Sequence, residues 1–276
     1  MSPKATTSPR VALLGVCYDG SSSYLRGTAG APQVIREALW SEAGNPWTEL
    51  GIDLSTAALD DEGDLTPAEN DDPAQVRRAI EEAVRHIAQS GRRPLVLGGD
   101  HSITYPVLRG FRPSHSRLSI LHFDAHADLY DEFQGDRYSH ACPFARIMEE
   151  GFADRLVQIG IRTMTGHVRQ QVKRFGVEVI EMKDWRDGMK LEFDTPVYVS
   201  FDLDVIEPGL APGISHREAG GFSVRQAIAV IQSLRAPLVG ADFVEFNPAA
   251  DRTGVTAAVC AKLVKELAGR MLLETR

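Results

Sequence analysis

At 276 residues the chain can form one large α/β domain or two small ones, and its 43% apolar and 25% charged residues are those of an ordinary globular protein. A net charge of −8 argues against nucleic acid or an anionic membrane as partner and favours a cationic ligand. No apolar run reaches the length of a membrane span, and residues 1–10 carry no signal-peptide core. Three widely spaced cysteines, Cys17, Cys142 and Cys260, make no disulfide framework and fit a reducing, cytoplasmic location.

In chain order, short apolar or β-branched runs predict strands at 11–16, 50–54, 94–97, 118–123, 156–161, 177–181, 197–201 and 238–244. Several are continuously apolar, as expected of parallel strands covered on both faces. Helical patterns fill the gaps at 31–40, 72–89, 103–109, 143–150, 168–175, 224–234 and 255–268. Asp72-Pro73 and Ser223 are suitable helix starts. The polar stretch 60–72 reads as a surface loop, and nothing marks a linker, so 1–276 reads as one domain. The alternation predicts an open, mostly parallel sheet with helices on both sides.

Four fragments follow predicted strands: Gly98-Gly99-Asp100-His101-Ser102, Asp124-Ala125-His126-Ala127-Asp128, Ser200-Phe201-Asp202-Leu203-Asp204 and Val244-Glu245-Phe246-Asn247-Pro248. Ligands of open α/β sheets gather beyond the carboxyl ends of strands, so residues distant in sequence can meet there. Asp124, His126 and Asp128 stand at i, i+2 and i+4, and Asp202 and Asp204 repeat the spacing. In extended backbone such side chains share a face. The glycines before Asp100-His101 permit a sharp turn and close approach.

Four clustered carboxylates repel one another, and two divalent cations balance them. Six candidate ligands, His101, Asp124, His126, Asp128, Asp202 and Asp204, therefore predict a two-metal site for hydrolysis. A set rich in carboxylate, with two imidazoles and no thiolate, favours Mn²⁺ over structural Zn²⁺, though cobalt, nickel or zinc could occupy it in vitro. Asp100 reads equally as a helix cap, and His122 as packing or support rather than a ligand. His216 reads as a rim or structural residue and Cys142 as packing. His86, His115 and His167 receive no role.

These motifs, with Glu245, resemble the ureohydrolase family of arginases and agmatinases, over nearly the whole chain from Leu14-Gly15-Val16 to the last helix. Tyr138-Ser139-His140, Ala211-Pro212-Gly213-Ile214-Ser215-His216-Arg217-Glu218 and the Glu245 segment are especially similar to plant-type arginases. The resemblance implies a three-layer α/β/α sandwich around an eight-stranded parallel sheet, two Mn²⁺ per subunit, and assembly as a homotrimer or homohexamer. It implies that His101, Asp124, Asp128 and Asp202 hold one metal and Asp124, His126, Asp202 and Asp204 the other.

The implied activity is release of urea from a small cationic guanidino substrate. Metal binding can lower the pKa of water from 15.7 to about 7, which supplies the nucleophile. Glu245 would hold the guanidinium by a charge-assisted contact, against the alternative of a surface salt bridge. Asp128 would move the proton to the departing amine. His140 would be a proton shuttle or substrate contact rather than an exposed loop histidine. The loop 130–139 carries Asp131, Glu132 and Asp136, which suit a second cation better than a carboxylate, while Gln134 and Arg137 suit the opposite. Plant-type arginases tend to carry an amide where Asp136 stands. The expectation is agmatine, giving putrescine and urea, with L-arginine or guanidinobutyrate as alternatives. Two other classes compete: a zinc-dependent deacetylase, which needs a different histidine arrangement, and a catalytically silent metal-binding homologue, which would lack ligands that are all present here.

Overall fold

The computed structural model describes residues 10–68 and 70–273, so the signal-peptide reading of the first nine residues lies outside it. Eight strands form one sheet: β1 Val11–Val16, β2 Leu59–Leu65, β3 Arg93–Leu97, β4 Ser119–Phe123, β5 Arg155–Ile161, β6 Glu178–Glu181, β7 Val197–Asp202 and β8 Leu238–Val244. Their order is β2-β1-β3-β8-β7-β4-β5-β6, and every neighbouring pair is parallel.

Strand periodicity sorts the core into two layers. Leu13, Leu95, Leu97, Phe123, Val199, Phe201 and Phe243 face one side. They pack there with residues of α1 (Ala31–Leu39), α6 (Val224–Ser233) and α7 (Val255–Leu272). Ala12, Leu14, Val96, Ile120 and Tyr198 face the other. That side is covered by α2 (Pro73–Gln89), α3 (Thr104–Phe111), α4 (Pro143–Glu149) and α5 (Gly166–Phe175). Both faces of the central strands are thus dry, which explains their unbroken apolar runs. On the first face Phe123, Phe201 and Phe243 stack across β4, β7 and β8 with ring centroids 4.8 and 5.1 Å apart.

The helix starts follow the predicted chemistry. Asp72 accepts from Ala74 N before Pro73, and Ser223 with Gln226 forms a reciprocal capping box. The second strand departs from expectation. Residues 50–54 form no strand, and β2 instead runs through Leu-Asp-Asp-Glu-Gly-Asp-Leu, inside the stretch that reads as a loop. It is an edge strand, half-exposed along its length, so it carries no apolar signature. Its acids pair with Arg10, Arg36 and Arg92, and its backbone completes the ladder of β1.

Candidate metal centre

The four motif strands, β3, β8, β7 and β4, are consecutive at the middle of the sheet. Their carboxyl ends therefore deliver all six candidate ligands to one place. His101 Nδ1 lies 3.0 Å from Asp128 Oδ2, 3.1 Å from Asp202 Oδ2 and 3.3 Å from Asp124 Oδ2. His126 Nδ1 lies 2.8 Å from Asp204 Oδ2 and 3.4 Å from Asp124 Oδ1. Asp124 thus turns one oxygen to each histidine, the placement of a carboxylate shared between two centres. Five of the six are buried, and His126 is half-buried.

Local turns, not extended backbone, create this convergence. Asp124 Oδ1 accepts from His126 N at 2.6 Å, and Asp202 Oδ1 accepts from Asp204 N at 2.8 Å. Each aspartate closes a turn onto the residue two positions on. β4 ends at Phe123, so the shared-face argument for 124–128 gives way to this turn. Asp128 ends the segment in the left-handed region, with φ 49°. Glu245, directly after β8, is also left-handed, with φ 64°. For residues other than glycine this conformation is strained and must be held by its surroundings.

The glycine expectation holds at Gly99. A Cβ there would stand 1.7 Å from Tyr18 O. The close approach lets Asp100 N donate to Tyr18 O at 2.9 Å and Glu245 N donate to Gly99 O at 2.9 Å. Asp100 is the cap: its carboxylate accepts from Ser102 N and, across the loop, from Ser21 N.

The electrostatics are those of crowded carboxylates. Burial, Asp204 and Asp124 push the Asp202 carboxyl well above the usual range. Burial and Asp124 push Asp204 to about 6. Burial acts the same way on Asp124, but His122, His101 and His126 outweigh it and hold that group well down. Burial pulls the His101 and His126 imidazoliums down, and the surrounding carboxylates reverse this and raise both. His101 Nδ1 is buried and finds no well-aligned hydrogen bond. An orphaned ring nitrogen facing three carboxylates fits a bound cation, and the oxygen-rich donors fit a hard divalent one.

His122 stands close enough to join His101 and Asp124 around an ion. Its hydrogen bonds assign it otherwise. Gln158 Nε2 faces His122 Nδ1 at 3.0 Å, and His122 Nε2 faces Asp124 Oδ2 at 2.8 Å. An amide nitrogen can only donate, so Nδ1 accepts and Nε2 carries the hydrogen given to Asp124. Through that bond His122 orients the Asp124 carboxylate.

Glu245 Oε1 accepts from His101 N at 3.0 Å and faces His140 Nδ1 at 3.1 Å. Burial lowers His140, but Glu245, Asp128 and Asp100 outweigh it and raise its pKa to about 9. Its other nitrogen, Nε2, is 2.8 Å from Ser23 Oγ. Ser23 belongs to the 19–27 loop, which no sequence motif marked. A cavity of about 230 Å³ opens above these groups, lined by Asp128, Asp202, Asp204, His126, His140 and Glu245. Ser23, Tyr130, Phe133, Thr163, Thr165, His216 and Glu218 also line it. His216 takes the rim position, with its ring 5.1 Å from that of His140. Burial raises the Cys142 thiol to about 12, in keeping with a packing role.

The loop acids do not reach this cavity. Asp131 turns outward to Gln171 and Arg174, Asp136 accepts from Tyr138 N, and Glu132 is exposed. Tyr130 and Phe133 of the same loop line the cavity, but these three acids form no part of it.

Residues 9–269 match the model of the Arginase family. The mitochondrial arginase of Medicago truncatula is 46% identical over 274 residues, spanning 94% of this chain and 81% of the relative. The N(1)-aminopropylagmatine ureohydrolase of Thermus thermophilus is 36% identical over 254 residues, spanning 87% of this chain and 83% of that one. The solved structure of the Medicago truncatula arginase superposes with a TM-score of 0.90 at 44% identity, covering 96% of this chain and 88% of that chain. Proclavaminate amidino hydrolase from Streptomyces clavuligerus superposes at 0.84 with 29% identity, covering 96% and 92%. With eight parallel strands, a converging histidine–aspartate cluster and this likeness along almost its whole length, the chain belongs to the arginase family and is a hydrolase.

Proposed function

We propose that this protein is an arginase that holds two Mn²⁺ and hydrolyses L-arginine to ornithine and urea. The observation that carries the reading is the Asp124 carboxylate, divided between His101 and His126, directly below a cavity that Glu245 lines. Bound by His101, Asp124, Asp128 and Asp202 on one side and Asp124, His126, Asp202 and Asp204 on the other, two divalent cations would neutralise the carboxylates and acidify the attacking water.

The chain's own groups supply the rest. Glu245, fixed by His101 N and His140, accepts the guanidinium and orients its carbon. His140 steadies Glu245 through the contact of its Nδ1 with Oε1, so it positions the anchor. Asp128 takes a proton from the attacking water and delivers it to the nitrogen whose bond to carbon breaks. Guanidinium and water thereby become urea and an alkylammonium ion, with charge conserved.

The expectation of agmatine rested on loop acids that turn away from the cavity, and the relatives at 43–46% identity are named arginases. Arginine therefore replaces it as the leading reading. Hydroxyls of Ser23, Tyr130 and Thr165 are the available donors for its α-carboxylate. One observation favours a second reading: the lining residues include no lysine or arginine, which suits a substrate ending in an ammonium, such as agmatine. Urea release from arginine, agmatine, N1-aminopropylagmatine and guanidinobutyrate by Mn²⁺-loaded protein decides between them. Absence of urea from every substrate, with two metals bound, would refute the activity.

No helix among the described residues is long and apolar enough to cross a membrane. A cytoplasmic location is supported by three unpaired cysteines, while the names of the plant relatives carry mitochondrial or chloroplastic. A homotrimer or homohexamer follows from the family resemblance and is tested by light scattering on the eluting protein.

A further inference from the structure

His101 has two ring nitrogens, and only Nδ1 faces the carboxylates. Nε2 points back into the sheet, 3.0 Å from Ser200 Oγ. Ser200 donates its hydroxyl hydrogen to Asp242 Oδ1 at 2.7 Å, and Tyr198 donates to Oδ2 of the same carboxylate at 2.8 Å. All four side chains are completely buried. Ser200 and Asp242 are directly paired in the β7–β8 ladder, so the backbone fixes their contact.

A hydroxyl has one hydrogen. Committed to Asp242, Ser200 can only accept from His101, so Nε2 carries the ring hydrogen. Nδ1 then keeps its lone pair, which is what a cation requires. We propose that Asp242, acting through Ser200, is a positioning residue that fixes the His101 tautomer and makes Nδ1 the metal-binding atom. This rests on the reading of His101 as a ligand. A carboxylate in the middle of a buried strand is costly, and an apolar residue would pack between the helix layers without that cost. Directing one histidine nitrogen explains why it is there. Neither Ser200 nor Asp242 stands at a ligand position of the motifs.

Metal-free protein, prepared with a chelator, is titrated with Mn²⁺ by calorimetry, and the spin-coupled signal of adjacent Mn²⁺ ions is followed by electron paramagnetic resonance. Ser200→Ala is expected to weaken one of two Mn²⁺ sites by about 10–100-fold and to remove the coupled signal. Ser200→Thr, which keeps the hydroxyl, should restore both. Tyr198→Phe removes a hydrogen bond from the same carboxylate without touching His101, and should keep both sites even where it lowers the Tm. Unchanged binding in Ser200→Ala, or equal loss in Ser200→Ala and Tyr198→Phe, overturns the proposal. His101→Asn binding Mn²⁺ like wild type would instead overturn the ligand reading beneath it. Wild-type protein loaded with diamagnetic Zn²⁺ gives a test free of variants. Its ¹⁵N spectrum should place the His101 hydrogen on Nε2, and a hydrogen on Nδ1 overturns the proposal.

Discussion

Asp128 and Glu245 both occupy left-handed backbone, each at the edge of the same cavity. Such a residue costs on the order of 1–3 kcal/mol, and the surrounding contacts must hold it. Asn tolerates this region well, so Asp128→Asn removes the charge without adding strain. It is expected to keep the Tm within a few degrees and to lower kcat by at least 100-fold, since general-base action contributes about 10²–10⁴-fold. Thermal melts and urea assays on one preparation check it, and near-normal turnover would refute the assigned role. His140 offers a pH signature. Its pKa rises from about 6.5 unfolded to about 9 folded, because neighbouring carboxylates overcome burial. Stability from that shift is complete below about 6.5 and is lost as pH rises through about 9. Metal-free wild type should therefore lose its advantage over Glu245→Gln across that window in chemical unfolding. Parallel curves for the two proteins would show that the His140–Glu245 pair contributes nothing.

Among the elements, the turn after β3 carries the sharpest constraint. Gly99 has no room for a side chain, since a Cβ would meet the Tyr18 carbonyl at 1.7 Å. Gly99→Ala must displace either that loop or the His101 turn. We expect a loss of about 2–4 kcal/mol in denaturant unfolding, in line with overpacking of a closed site, together with weaker Mn²⁺ binding. An alanine variant with wild-type stability and metal content would show that the approach is dispensable. The element scale is also where the predicted pattern failed. β2 is a strand by its ladder with β1, yet its Leu-Asp-Asp-Glu-Gly-Asp-Leu sequence carries no strand periodicity. An edge strand owes its form to the neighbour it pairs with and needs little apolar content of its own. The 124–128 segment shows a different limit, because i, i+2 spacing fits both a strand and consecutive side-chain-closed turns.

For the whole molecule, the buried cluster of carboxylates and histidines sets a stability that depends on pH. Burial and neighbouring carboxylates raise Asp202 well above its ordinary pKa and Asp204 to about 6. In metal-free protein the stability tied to their protonated forms is lost as pH rises through those values. Mn²⁺ should relieve the repulsion, so its thermal shift should be larger at pH 8 than at pH 5. At 100 times the Kd, one site contributes about 2.7 kcal/mol, enough to move the Tm by several degrees. Differential scanning calorimetry with and without chelator measures this, and a shift independent of pH would refute the charge argument.

The sequence by itself determined the α/β class and, among the described residues, seven of the eight strand positions, all seven α-helices and the six clustered histidines and aspartates. These are legible because continuous apolar runs, helix caps and closely spaced donor residues are local patterns. Only the tertiary structure decided that β3, β8, β7 and β4 lie side by side, which brings four distant motifs to one edge. It also decided the direction of each side chain. The acids of the 130–139 loop turn away from the cavity, His140 braces Glu245, and Asp242 stands behind His101 through Ser200. Strand order and side-chain direction arise from packing between segments far apart in the chain, and no local pattern encodes them.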